Sequence, residues 1–174
     1  MKKFALLAAA AVLSTSAAFA QDTQSHDVNV KVPNVLRIRL TSGASNAAVA
    51  NPTPVEFDFV ANEAAFDVGS FGPTNASFNW DDVKVFSNYA IWSVEVSTGN
   101  DVGSFDWSKV SVTATGANAS NSFTLADTTI AGASSKTGGW QSLGFGPDDF
   151  EITFDGSEDA GTYATTVTYD IFGL

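Results

Sequence analysis

Apolar and polar positions alternate with a period of two along most of this chain. Val28, Val30 and Val32 alternate with Asn29 and Lys31; after Pro33-Asn34, Leu36, Ile38 and Leu40 alternate with Arg37 and Arg39. The same rhythm runs through Val55, Phe57 and Phe59, then Val83 and Val85, then Trp92, Val94 and Val96. It returns in Val110 and Val112, in Phe150, Ile152 and Phe154, and in Tyr163, Thr165, Val167, Tyr169 and Ile171. Period-two alternation gives a strand one buried face and one wet face, as in antiparallel sheets. Turn-type clusters separate the runs, among them Gly69-Ser70-Phe71-Gly72-Pro73, Gly138-Gly139, Gly146-Pro147-Asp148-Asp149 and Asp155-Gly156-Ser157. Beyond residue 20 no sustained i, i+3, i+4, i+7 apolar pattern occurs, and Leu, Glu, Lys and Arg are scarce, which argues against helix.

Eight or more short strands predict an all-β fold of two packed sheets: an antiparallel β-sandwich, immunoglobulin-like or jelly-roll-like. The small, polar stretches 42–53 and 115–137 read as long loops or weak edge strands. Residues 27–32 admit two readings. They form the first strand of this domain, with Pro33 marking a short turn, or they are a donor strand that completes a neighbour's sheet through alternate apolar side chains.

The amino terminus has a different pattern. Lys2 and Lys3 precede an apolar run from Phe4 to Leu13, and Ala18-Phe19-Ala20 ends a small-residue stretch. A charged region, an apolar region and an A-x-A site in that order predict a cleaved signal peptide over residues 1–20. Gln21 follows the site where a lipoprotein would have Cys, and no later run has the length and apolarity of a spanning helix. The expected product is one domain over residues 21–174 that is secreted, periplasmic or held at the cell surface.

Charge narrows the partners. The eight Lys+Arg, less Lys2 and Lys3, leave six against nineteen Asp+Glu, a net charge of −13 for residues 21–174. Phosphate contacts need Lys and Arg, so nucleic acid is a poor partner; anionic membrane surfaces are disfavoured for the same reason. With no cysteine, neither disulfides nor thiol chemistry are available.

Catalytic inventory is thin. His26 is the single histidine and lies close to the expected new terminus, a poor place for a positioned imidazole. The adjacent acids Asp81-Asp82 and Asp148-Asp149 point apart on any extended backbone, so neither dipeptide alone is a glycosidase pair. The expectation is that the protein is not an enzyme. No cofactor is implied, with calcium the one possible ion: Asp155, Glu158 and Asp159 in a Gly-containing loop offer hard oxygen ligands, as do Asn100, Asp101 and Asp106. Neither loop has EF-hand spacing, and turns favour such residues anyway. Trp80, Trp107 and Trp140 neighbour acids or turn residues and are the candidates for a sugar-stacking surface, whereas Trp92 is in phase with the core.

The C-terminal pattern of Gly161, Tyr163, Val167, Tyr169 and Ile171 resembles the last strand of chaperone–usher pilin subunits, spore-coat-U-like proteins and WxL-type surface domains. Ile91-Trp92-Ser93-Val94-Glu95-Val96 is similar to the Trp-bearing core strand of WxL-like domains. The resemblance implies an exported structural or adhesive β-domain, pilin-like or coat-like, that self-assembles or meets other surface proteins. Two further readings stay open: a secreted carbohydrate-binding module, which needs coplanar exposed tryptophans, and a small outer-membrane β-barrel, which needs longer strands than most runs supply.

Overall fold

The computed structural model describes residues 26–59 and 69–174, so the leader over 1–20 lies outside the described residues. The chain divides into two units, Met1–Val32 and Pro33–Leu174. The second unit contains ten described strands: β1 (Leu36–Thr41), β2 (Ser70–Phe71), β3 (Asp82–Ser87), β4 (Trp92–Val102), β5 (Val110–Thr113), β6 (Ser122–Thr124), β7 (Thr129–Ala133), β8 (Gln141–Ser142), β9 (Phe150–Thr153) and β10 (Ala164–Gly173). Its only described helical turns are the short 3-10 pieces Trp107–Lys109 and Pro147–Asp149.

The protein is an antiparallel β-sandwich. Its strands form three open sheets in the orders β1-β3-β8, β10-β4-β7 and β2-β9-β5-β6, where two sheets were expected. Among the described residues they do not close into one barrel. The inner face reads directly off the alternation. Val83 and Val85 of β3, Trp92, Val94 and Val96 of β4, and Val110 and Val112 of β5 are all at most 3 % exposed. Phe145 joins the sheets, with Phe123 at 5.2 Å and Tyr169 at 5.8 Å between ring centroids. Trp80 is also core; its indole Nε1–H donates to the Thr53 carbonyl at 2.9 Å, which satisfies its one polar atom.

Two predicted strands are absent, for different reasons. Residues 55–59 keep the alternation, with Val55, Phe57 and Phe59 half-buried. Their backbone is satisfied mainly by side chains: Glu56 N–H donates to Asn75 Oδ1 at 2.7 Å and Asp58 N–H to Thr74 Oγ1 at 3.0 Å. A backbone ladder is thereby replaced, while Phe59 still packs on Phe71 at 4.4 Å and on Phe154 at 4.8 Å. Residues 27–32 belong to no ladder, so the reading of them as this domain's own first strand is corrected. Val28, Val30 and Val32 are 75, 78 and 73 % exposed. The stretch 115–137 does yield edge strands, β6 and β7, and Ile130 of β7 is fully buried.

Candidate functional site

The tryptophans separate by environment. Trp80 is buried. Trp107 is half-buried against Phe105, 4.9 Å between centroids, and its Nε1–H is enclosed without a hydrogen-bond partner. Trp140, also half-buried, stands just before β8 beside Phe86, and the Arg39 guanidinium lies 4.6 Å over its ring. The three have different surroundings: Trp80 is core, Trp107 packs against the core beside Phe105, and Trp140 has a face covered by a cation.

The acids of the loop before β10 gather around a lysine. Lys109 Nζ donates to Asp155 Oδ1 at 2.9 Å, to Ser157 Oγ at 2.8 Å, and closely to Glu158 Oε1. Asp155 is held well below the usual carboxylate range, first by the Ser157 hydroxyl and then by Lys109. Burial pushes Glu158 up, but the Lys109 bond and its own backbone N–H outweigh this, and its pKa is lowered. Lys109 is raised in turn, chiefly by Glu158. Asp159 contributes its backbone carbonyl, which accepts from the Tyr163 hydroxyl at 2.5 Å. Calcium at Asp155 and Glu158 would have to displace Lys109. In the other acidic loop, Asp106 accepts from Ser108 N–H and Oγ–H and caps a 3-10 turn. Among the described residues no group of three or more His, Cys, Asp or Glu side chains is placed to hold a metal.

Folding does bring the two adjacent-acid motifs together, which sequence spacing could not show. Asp81, Asp82 and Asp149 line one open cleft of about 450 Å³ with Gly43, Ser142 and Phe145. Each has a structural task. Asp81 accepts the Gly43 N–H on both oxygens at 2.9 and 2.8 Å, Asp149 accepts the Gly146 N–H at 2.7 Å, and Asp82 accepts the Ser142 hydroxyl at 2.7 Å. Burial raises the Asp82 pKa against the Ser142 bond. The cleft ties three loops together through carboxylates.

The remaining feature is a sheet edge. β10 pairs with β4 at nine positions, with an irregularity between Ala164 and Thr166, and no strand among the described residues pairs with its other side. β1 is likewise an edge of its sheet. The end of β10 lies against the start of β1: a Cβ on Gly173 would sit 3.0 Å from Leu36 Cδ1 and 2.7 Å from the Tyr89 ring. The inward side chains of both edges, Leu36, Ile38 and Leu40 on β1 and Val167, Tyr169 and Ile171 on β10, are only partly buried. A long unpaired edge with a half-covered apolar row is a template for another strand. In the other unit, residues 27–32 present alternate exposed valines.

No family model, curated protein or solved structure matches the chain, so the reading of function rests on these geometries. Among the described residues no helix is long and apolar enough to cross a membrane.

Proposed function

We propose that this chain is an exported structural subunit, pilin-like or coat-like, that assembles with copies of itself and has no catalytic activity. One copy lends residues 27–32 as a strand to the β10 edge of the next. The observation that carries this reading is the exposure of Val28, Val30 and Val32, each above 70 %, in a segment that alternates like a strand and belongs to no ladder. Strand addition reads such a segment through main-chain hydrogen bonds and alternate side-chain pockets. The cleft and ion pairs described above serve loop structure; of the two half-buried tryptophans, Trp107 packs on Phe105 and Trp140 has Arg39 over its ring, which favours assembly over sugar stacking.

The energetics fit a modular contact. Burying three valines contributes roughly 5 kcal/mol, and about five main-chain hydrogen bonds contribute roughly as much again. Ordering six residues costs about 6–12 kcal/mol, and association costs at least about 4 kcal/mol more. Gain and cost nearly cancel, so strand donation alone is weak and reversible and needs a second contact. Deleting residues 21–32 tests the reading. The expected product is a folded monomer that no longer polymerises, by circular dichroism and electron microscopy, whereas the chain from Gln21 forms filaments or higher oligomers. Unfolding of the deleted chain, or unchanged assembly, would contradict it.

A further inference from the structure

The charges on two of the sheets are segregated. β1, β3 and β8 carry Arg37, Arg39 and Lys84 against a single acid, Asp82, which is bound to Ser142. β10, β4 and β7 carry Glu95, Asp101 and Asp170 and no lysine or arginine. Arg37 and Arg39 alternate with the core-facing Leu36, Ile38 and Leu40, so they lie on the outward side of β1, and Lys84 pairs with Arg39 across the ladder to β3. Three of the six cations expected after residue 20 therefore share one face of an otherwise acidic molecule.

Neither face is fully neutralised from within: Lys84 lies near the Asp82 carboxylate of its own strand, and that one acid leaves the face net positive. The two ion pairs among the described residues both belong to Lys109. Arg39 spends a guanidinium N–H on the Asn46 carbonyl at 2.6 Å, and Lys84 Nζ donates to the Gly43 and Ser45 carbonyls at 3.1 and 2.9 Å, all uncharged acceptors. On the opposite-sign sheet, Glu95 of β4 stands directly across from Asp170 of β10, both exposed. Like charges directly opposite on a sheet destabilise it. A carboxylate pair facing no cation, and a row of three cations with the single carboxylate of Asp82 beside it, fit each other.

We infer that the Arg37–Arg39–Lys84 face of one copy docks on the Glu95–Asp170 face of another. This inference rests on the self-assembly reading and supplies the second contact that strand donation calls for. The two faces are different surfaces, so the contact is heterologous and links copies head to tail, into a ring or an open filament according to the rotation between them. The cation face sets the limit: β1 and β3 have six residues each, about 20 Å, and β8 has two, so three strands about 4.8 Å apart offer at most roughly 300 Å² per partner, well below the roughly 800 Å² of a stable isolated interface. The contact thus acts by avidity between copies already linked through strands, and salt weakens it because Arg37, Glu95 and Asp170 are exposed and Arg39 and Lys84 are half-exposed.

Charge reversal tests it on the chain from Gln21. R37E/R39E and E95K/D170K are made separately and together, and assembly is followed by sedimentation velocity at low salt, with near-ultraviolet circular dichroism to verify folding. Each double variant is expected to weaken assembly at least tenfold, and the quadruple variant to recover to within about threefold of the parent. The neutral pair R37Q/R39Q is expected to fall between the parent and R37E/R39E. Either reversed face alone assembling as the parent does, or a folded quadruple variant failing to recover, would overturn the pairing. A parent chain that stays monomeric at every salt concentration would instead overturn the self-assembly reading on which it rests.

Discussion

Asp82 on one side, and Asp155 and Glu158 on the other, respond to folding in opposite directions, and pH separates them. Asp82 is raised by burial, so the folded chain holds its proton to a higher pH than the unfolded chain does. Stability therefore falls as pH rises through that raised value, and an uncharged isostere escapes the loss. Asp82→Asn keeps an acceptor for Ser142 and is expected to melt above the parent at pH 7, with the difference vanishing near pH 3. A lower melting point at pH 7 would mean that the Ser142 bond needs the charge. Asp155 and Glu158 behave in the reverse sense. Their pKa values are lowered, Asp155 by Ser157 and Lys109, Glu158 by Lys109 against its burial. Their contribution is present above the ordinary carboxylate range and is lost as pH falls through the lowered values. Lys109→Met leaves the largely enclosed Glu158 side chain, 8 % exposed, without its cation. Its melting point is expected to fall below the parent's at pH 7, with the gap closing in acid. A gap that stays constant from pH 7 to pH 3 would show that the lysine contributes packing and no charge pairing.

At the scale of elements, the core strands were legible because their side chains obey the pleat: Val83, Val85, Val94, Val96, Val110 and Val112 lie in phase in the sequence and are buried in the fold. What alternation does not reveal is the partner of each strand. Residues 55–59 and 27–32 alternate as well as β3 does, yet the first is satisfied by Thr74 and Asn75 side chains and the second belongs to no ladder. The two-residue strand β8 has no pattern to read, since two positions define no period. The Asp81–Asp82–Asp149 cleft and the Glu95–Asp170 juxtaposition are products of long-range register, invisible to local spacing. The loop between β8 and the Pro147–Asp149 turn depends on close backbone approach. Gly144 has φ +69°, and a Cβ there would meet Gly116 N at 2.3 Å. Gly144→Ala is expected to cost at least about 2 kcal/mol in denaturant unfolding, from left-handed strain and the clash together. A cost below about 0.5 kcal/mol would mean that the 115–116 backbone yields freely.

On the scale of the whole molecule, an acidic net charge keeps separate copies apart, while exposed strand edges invite them together. In the proposed assembly another copy finishes the half-covered apolar rows of β1 and β10, the exposed valines of residues 27–32 and the sheets of opposite sign. That assembly would also give Arg37, Arg39 and Lys84 a role on one face of so acidic a chain. Hydrogen exchange of the assembled protein tests strand donation most directly. The β10 amides that do not bond to β4, and those of residues 27–32, are expected to exchange freely in the monomer and to become protected together on assembly. Assembly that leaves either set exchanging at the monomer rate would contradict the account.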